Sequence, residues 1–385
     1  MAPLLDIRNL VVEIPAMGGD LRSVRGVDLT VAKGETVAIV GESGCGKSLT
    51  GLAIMGLAPR KARVSADRVA LSGLSLLGLR EAQWRQIRGR RIAMIFQDPM
   101  TAFDPCYRMG DQIAEILRQH RREAASPERI CAMLAKVGIA SPQERLRQYP
   151  HQLSGGLRQR MLIAMALLCE PELIIADEPT TALDVTIQAQ ILRLLADIQK
   201  ETGIGLLVIT HDLGVVAGIA DRVVVMYGGE VVEAGATDAV IGAPLHPYTE
   251  GLMRSIPAPG KTARREALGF IPGIVARPAA DRRGCGFAAR CAYAQASCRV
   301  GEIAAETAAD GRLVRCLLPL DQKRDALILE EGRGAGHPFS PSRTGRRSFA
   351  RAAPQDTCES DSPSRERSAP ERPRDKCIGD GSSTA

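Results

Sequence analysis

The first residues that could do chemistry form a glycine-rich run, GESGCGKS, at positions 41–48. Glycines in such a run let backbone N–H groups converge on an anion without side-chain clashes, and the start of the next helix adds positive potential. The run follows the apolar segment TVAIV (36–40) and precedes a helical pattern, the context that a phosphate-binding loop requires. We therefore predict a nucleotide phosphate site in which the lysine reaches the β- and γ-phosphates and the last serine ligates Mg²⁺. Its residues are Gly41, Glu42, Ser43, Gly44, Cys45, Gly46, Lys47 and Ser48.

A pair of carboxylates ends a second apolar segment, LIIAD (173–177). Asp177, at the end of a buried strand beside the phosphate loop, is placed to orient a Mg²⁺ shell. Glu178 points elsewhere and is placed to polarise an attacking water as a general base. Taken alone, the pair would fit a solvated acidic turn better; the neighbouring motifs favour catalysis.

Two further sites are candidates for the same chemistry. Ser154, Gly155 and Gly156 precede the helical segment LRQRMLIAMALL and could bind an anion through backbone N–H groups, although an ordinary N-cap by Ser154 explains the pattern equally well. His211 directly follows the apolar segment GLLVIT, at the strand end where ligand contacts concentrate. A lone histidine is otherwise more often structural.

Four of the ten cysteines cluster, with the spacing C-x₅-C-x₆-C-x₁₇-C. Four neighbouring thiolates can hold a [4Fe–4S] cluster. Zinc in a Cys₄ site usually shows tighter C-x₂₋₄-C pairs, so it is the weaker metal candidate. Thiols without metal are the third interpretation. The clustered residues are Cys285, Cys291, Cys298 and Cys316.

The elements that would position these residues alternate between strands and helices, which indicates an α/β fold with a mostly parallel sheet. Residues 1–35 alternate apolar and polar positions, as in a small antiparallel sheet. Residues 99–156 are helical in pattern and predict a separate lobe. The segment 332–385 is poor in large apolar residues and rich in Arg, Ser, Pro and Asp, so we predict disorder there.

Composition excludes some classes of function. The net charge of +6 is modest and no basic stripe is interleaved with aromatic residues, so nucleic acid is not the expected partner. No apolar run approaches the ~20 residues that span a bilayer, and the first residues do not resemble a signal peptide. We expect a cytosolic chain that can dock on a membrane through partners.

The order of these motifs resembles the ATP-binding cassette (ABC) ATPases. Those proteins combine a P-loop, an LSGG segment (here 153–156) and a strand that ends in Asp-Glu. The resemblance implies a P-loop cassette with a RecA-like mixed sheet, an antiparallel β subdomain and a helical subdomain. It implies that Gln97 is the Q-loop residue near Mg²⁺ and the water, that His211 contacts the γ-phosphate, and that Asp184 lies in the D-loop. It also implies that two cassettes pair head to tail, each LSGG capping the partner's ATP.

Finer motifs resemble the peptide-importer branch of that family. These are SGGLRQR (154–160), HPYT (246–249), IPG (271–273) and the CxFxxRC signature (285–291). The branch implies an ATPase on the cytoplasmic face of the inner membrane, bound to two transmembrane permease subunits and a second ATPase, equal or different, and served by an extracytoplasmic peptide-binding protein. Some ATPases of this branch carry the iron–sulfur cluster at these cysteines. The implied domains are the cassette (1–255, helical subdomain about 99–156) and a C-terminal transporter region (256–325). The disordered tail (332–385) is predicted from composition and has no counterpart in the family.

Alternatives remain at each level. Nickel and glutathione importers are close relatives of the peptide branch, and soluble ABC ATPases that act on DNA or ribosomes form a different class. A P-loop kinase or GTPase would lack LSGG. The family usually stacks adenine on an N-terminal aromatic side chain, but no Phe, Trp or Tyr precedes Trp84, so Ile14 or a nearby apolar residue is the candidate contact.

Overall fold

The computed structural model describes residues 2–17, 19–121, 126–181, 183–256, 270–275 and 279–318. The predicted disordered segment 332–385 lies outside the described residues. The three domain boundaries remain predictions. Among the described helices, none combines the length and apolar character needed to cross a membrane.

Strands and helices alternate along most of the chain. The strands are β1 Leu5–Ile14, β2 Leu21–Val31, β3 Thr36–Val40, β4 Arg63–Ser65, β5 Arg68–Leu71, β6 Leu74–Ser75, β7 Ile92–Ile95, β8 Leu173–Asp177, β9 Gly205–Thr210, β10 Arg222–Tyr227, β11 Glu230–Ala236, β12 Glu306–Thr307 and β13 Leu313–Val314. The helices are α1 Lys47–Ile54, α2 Glu81–Ile87, α3 Met109–His120, α4 Pro127–Lys136, α5 Pro142–Leu146, α6 Gly155–Leu167, α7 Val185–Thr202, α8 Leu213–Ile219, α9 Thr237–Gly242 and α10 Pro247–Arg254.

The N-terminal strands form the small antiparallel sheet that the alternating pattern predicts. Its order is β2-β1-β5-β6, and β4 also pairs with β1. The apolar positions of β1 and β2, such as Leu5, Leu10 and Val27, are buried in one core. The polar positions between them face outward because successive side chains in a strand alternate sides.

The larger sheet is mixed, in the order β12-β13-β11-β10-β3-β9-β8-β7. The five strands from β10 to β7 run parallel, and β11, β12 and β13 pair antiparallel. Both faces of the parallel part are covered: in β8, Leu173 and Ile175 pack in one core while Ile174 and Ala176 pack in another. Double coverage explains why these strands read as uninterrupted apolar runs. The predicted α/β fold with a mixed sheet and an antiparallel subdomain is confirmed.

Four neighbouring parallel strands end at one edge, and the candidate residues follow them. The P-loop follows β3, Gln97 follows β7, Asp177 ends β8 and His211 follows β9. In parallel α/β sheets, ligands bind beyond the carboxyl ends of the strands. The topology therefore brings together side chains that lie far apart in the sequence.

The predicted helical segment contains α3, α4 and α5. Their buried residues, including Ile113, Leu117 and Leu134, share a core with α6, α7 and one face of β7 and β8. That these helices act as a separate lobe remains a proposal.

Candidate functional site

The P-loop takes its shape from close backbone contacts that only glycine permits. Gly46 has φ 102°, and a Cβ there would lie 2.4 Å from the carbonyl oxygen of Ser23 in β2. A Cβ at Gly41 would lie 2.2 Å from the carbonyl oxygen of Met226 in β10. The loop is thus wedged between β2 and β10, and its glycines are required by the fold as well as by phosphate binding.

Lys47 is buried inside this loop. Only 4 % of the residue is exposed to solvent. The Nζ donates hydrogen bonds to the carbonyl oxygens of Gly41 at 2.8 Å and Glu42 at 3.0 Å. Beside it, burial raises the pKa of the Cys45 thiol, so that side chain is a neutral, packed group. The loop therefore holds a single cation at its centre.

Ser48 and Asp177 meet across the site. The Ser48 hydroxyl donates to Asp177 Oδ1 at 2.8 Å. Adjacent ligand oxygens around an octahedral Mg²⁺ also lie about 2.9 Å apart, so this pair has the donor type and spacing of two Mg²⁺ ligands. Burial raises the pKa of Asp177, and the neighbouring Glu178 adds to the rise, whereas Ser48 and Lys47 oppose it.

Glu178 lies at the centre of a second group of contacts. Its Oε2 accepts hydrogen bonds from Gln97 Nε2 and from the Thr181 hydroxyl, each at 2.8 Å. His211 Nδ1 lies 3.5 Å from Oε1. Glu178 is only 8 % exposed and has φ 45°, a left-handed conformation that is costly for a residue with a side chain. Such strain is typical of residues whose direction is fixed for function.

The LSGG residues lie elsewhere. Ser154 caps α6, its Oγ accepting from the N–H of Leu157 at 3.4 Å, and Asp184 caps α7 by accepting from the N–H of Ile187 at 3.0 Å. Both caps are exposed. Within the described part of the chain, no hydrogen bond of Ser154 or Asp184 reaches the P-loop. The structure therefore brings together the P-loop, Asp177, Glu178, Gln97 and His211, and leaves Ser154, Gly155, Gly156 and Asp184 apart.

The four clustered cysteines line one small cavity, of about 20 Å³, together with Phe287 and His246. Cys285, Cys291 and Cys298 are not in disulfide bonds. Burial raises the pKa of Cys285 to about 11, and the neighbouring thiols add to that rise. In the described residues, no group of His, Cys, Asp or Glu side chains is close enough to hold a single metal ion.

Sequence reasoning missed three contacts. Thr181 donates to Glu178, Arg290 pairs with Glu42, and Tyr248 accepts from the N–H of Glu42. The last two residues lie in motifs that the sequence singled out, HPYT and CxFxxRC, but their position at the P-loop had no local signal.

Comparison with known proteins agrees with this geometry. Residues 24–181 match the family model described as ABC transporter, and residues 232–298 match that of the oligopeptide/dipeptide transporter C-terminal region. The dipeptide transport ATP-binding protein DppD of Bacillus subtilis is 46% identical over 334 residues, which cover 86% of this chain and 98% of that protein. The Escherichia coli protein of that name is 45% identical, covering 83% of this chain and 97% of the relative. A putative peptide import ATP-binding protein of Brucella ovis is 50% identical, covering 77% and 91%.

Solved structures show the same cassette. A dimeric bacterial ABC transporter cassette superposes with a TM-score of 0.55 at 28% identity, covering 60% of this chain and 98% of the other. The same cassette in a post-hydrolysis state, bound to ADP and phosphate, gives 0.53 at 27% identity, again covering 60% and 98%. The chain therefore belongs to the ABC transporter ATP-binding proteins, which are ATPases, and to their oligopeptide/dipeptide branch.

Proposed function

We propose that this chain is the ATP-hydrolysing subunit of a membrane importer for di- and oligopeptides. The observation that carries the proposal is the match to dipeptide transport ATP-binding proteins over nearly their whole length, including the C-terminal transporter region. Nickel or glutathione import is the alternative within the branch, and a soluble ABC ATPase is the alternative outside it. Partner subunits choose the cargo, so partner identity separates these alternatives.

The geometry supports a division of labour in ATP hydrolysis. Glu178 acts as the general base on the attacking water, because it is the carboxylate that Gln97, Thr181 and His211 surround. Gln97 orients that water and His211 contacts the γ-phosphate. Lys47 exchanges the carbonyls of its own loop for phosphate oxygens, and the P-loop N–H groups of residues 41–48 cradle the phosphates.

Ser48 and Asp177, with Gln97 nearby, would hold Mg²⁺. Their oxygen donors and 2.8 Å separation fit that ion. The metal supplies charge that neutralises the phosphates as the bond to the leaving group breaks. Asp177 must be ionised to bind it, so metal binding and protonation of this carboxyl would compete.

Ser154, Gly155, Gly156 and Asp184 would act on the nucleotide of a second ATPase. Support comes from the exposure of Ser154 and Asp184, from the N-terminus of α6 that Ser154 caps, and from the dimeric state of the similar cassette. ATP binding would then close a pair of cassettes, and hydrolysis would reopen it. The pair would be equal or different chains.

The proposed assembly is peripheral on the cytoplasmic face of the inner membrane. It contains two transmembrane permease subunits and receives peptides from an extracytoplasmic binding protein. Nucleic acid has no part in it. Closure of the ATPase pair would be transmitted to the permeases through Gln97 and the helices within residues 99–156. Those helices share a core with β7.

We further propose that Cys285, Cys291, Cys298 and Cys316 hold a [4Fe–4S] cluster as thiolates. Four thiols around one cavity are the donor set of such a cluster, although the cavity of about 20 Å³ requires the side chains to rotate outward. The group would supply a cross-link or a redox centre. Anaerobic purification with iron and sulfide analysis tests this: four irons per chain are expected, zinc or no metal would contradict the proposal, and a Cys298→Ser chain should lose the iron.

The importer itself is tested by capture of the tagged chain from native membranes in mild detergent. Multi-spanning permeases and a second ABC ATPase should copurify. A Ser154→Arg chain, altered on the exposed cap, should retain the permeases and lose the ATP-dependent closure. Recovery with ribosomes or DNA, or without any membrane protein, would contradict the transport proposal.

A further inference from the structure

One residue of the P-loop, Glu42, is held by side chains from the C-terminal part of the chain. Its carboxylate accepts two hydrogen bonds from the Arg290 guanidinium, Nη1 to Oε2 at 2.6 Å and Nη2 to Oε1 at 3.0 Å. This paired arrangement fixes direction as well as distance, which a single contact does not. The Arg290 side chain is 5 % exposed and that of Glu42 is 29 % exposed, so solvent reaches the pair from the Glu42 side.

The backbone of Glu42 is held as well. Its N–H donates to the hydroxyl of Tyr248 at 2.8 Å, and its carbonyl accepts from Lys47 Nζ at 3.0 Å. Tyr248 is fully buried, and burial raises its pKa, so the hydroxyl stays neutral. Side chain, N–H and carbonyl of Glu42 are therefore all engaged.

Arg290 is itself rigidly placed. Its Nε donates to the carbonyl of Pro272 at 2.8 Å and its Nη2 to that of Ile271 at 3.0 Å. Its Nη1 also reaches the Tyr227 hydroxyl at 3.2 Å, and the guanidinium lies 5.9 Å from the ring centre of Phe287. A guanidinium with its donors already directed loses little further freedom when it holds Glu42.

The sequence motifs HPYT, IPG and CxFxxRC thus converge on one P-loop residue. Tyr248 comes from the first, Ile271 and Pro272 from the second, and Arg290 from the third. Tyr227 packs edge to face on Tyr248 and on Phe287, and Tyr248 and Phe287 are tilted against each other, with ring centres 4.6 to 5.4 Å apart. An ion pair, hydrogen bonds and aromatic packing thus hold Glu42 against the C-terminal segment. We call this contact the junction.

We propose that Arg290 and Tyr248 are positioning residues for the nucleotide site. By holding Glu42 they set the conformation of the P-loop and the starting position of Lys47, so the C-terminal segment tunes MgATP affinity. The inference rests on the proposed phosphate role of Lys47. It does not depend on which cargo is transported.

The test is MgATP binding by the purified full-length chain, measured by calorimetry. Arg290→Gln keeps part of the volume but removes the charge and one arm of the fork; affinity should fall about tenfold, the size expected for a lost charged hydrogen bond. Arg290→Lys keeps the charge without the fork and should lie between that variant and wild type. Arg299→Gln, an exposed arginine of the same segment, is the matched control and should bind like wild type.

The energetic coupling between Arg290 and Glu42 gives a second measurement. If Arg290 acts through Glu42, Glu42→Gln should weaken binding by a similar factor, and the double variant should be no worse than either single one. Tyr248→Phe, which keeps the ring and removes the acceptor, should also weaken binding. If Arg290→Gln does not fold, Arg290→Lys, Glu42→Gln and Tyr248→Phe carry the same comparison.

The opposing results are distinct. Variants that unfold at lower temperature yet bind MgATP like wild type would show a structural contact only and overturn the inference, as would additive losses in the double variant. Lys47→Ala reports on the proposed phosphate contact separately: normal affinity in that chain would contradict the proposed function, whereas the Arg290 and Glu42 comparison concerns the junction.

Discussion

Gln97 and Glu178 are joined by a hydrogen bond of 2.8 Å between Nε2 and Oε2, although 81 residues separate them. The bond links the end of β7 to the end of β8. One residue thus connects the helices that follow β7 with the carboxylate that faces the site.

Replacing Gln97 should therefore affect the rate more than binding. Gln97→Ala removes a donor to Glu178 and, in the proposed mechanism, the group that orients water, so kcat should fall about tenfold or more while KM changes little. Steady-state ATPase assays measure both. Gln295→Ala, at an exposed glutamine of the C-terminal segment, serves as the control and should hydrolyse ATP at the wild-type rate. A rise in KM with normal kcat would contradict the assignment.

The P-loop glycines should tolerate substitution unequally. Gly46→Ala places a Cβ 2.4 Å from the Ser23 carbonyl at φ 102°, so the loop must shift and MgATP binding should fall at least tenfold. Gly78→Ala is the matched control, because it has φ 70° and no atom within 4 Å of the added Cβ. It should cost about 1 kcal/mol of stability and leave binding unchanged. If the Gly46→Ala and Gly78→Ala variants bound MgATP equally well, close packing around Gly46 would not control nucleotide binding.

Metal binding should depend on pH through Asp177. Burial raises the pKa of this carboxyl, and Mg²⁺ binds only its ionised form. As pH falls through that raised pKa, the proton competes, and Mg²⁺ affinity should fall about tenfold per pH unit. Calorimetric Mg²⁺ titrations with ATP present measure this. Asp238→Asn, an exposed control, should keep the wild-type slope, whereas Asp177→Asn should bind weakly and retain only the slope that protonation of the nucleotide contributes.

The buried Arg312–Glu233 pair should stabilise the C-terminal region. Their side chains are 5 % and 0 % exposed, and Arg312 Nη1 lies 3.5 Å from Glu233 Oε1. Arg312→Ala leaves the carboxylate without its cation, which should lower the free energy of unfolding by about 3 kcal/mol in urea titrations at pH 7.5. Arg299→Ala is the exposed control.

The stability lost in the Arg312→Ala variant should depend on pH in a definite direction. Burial raises the pKa of Glu233 in the folded chain above its unfolded value, so the folded state favours the protonated carboxyl. Stability contributed by protonation is present at low pH and is lost as pH rises. The Arg312→Ala deficit should therefore be smaller at pH 5 than at pH 7.5; a deficit that does not change with pH would argue against an uncompensated charge.

Local sequence patterns predicted the residues of the site that directly follow a buried strand. Runs such as TVAIV and GLLVIT identify buried strands, and since these strands are parallel, the residues that follow them share one edge. Patterns do not report which polar groups meet across long separations. Arg290 and Glu42 are 248 residues apart, and tertiary contacts place one against the other: the packing of Tyr227, Tyr248 and Phe287 and the hydrogen bonds from Arg290 to the carbonyls of Ile271 and Pro272. The left-handed backbone of Glu178 likewise follows from its tertiary contacts.

The most direct measurement is ATP hydrolysis by the Glu178→Gln chain assembled with the permease subunits that copurify with it and with no other ATPase chain. The variant keeps the hydrogen-bonding shape and removes the base, so MgATP should still bind while hydrolysis falls by a factor of about 10² to 10⁴. Glu115→Gln, whose side chain is 66% exposed, should hydrolyse at the wild-type rate. Normal hydrolysis by Glu178→Gln, with no other ATPase chain present, would contradict the central claim that this carboxylate is the base.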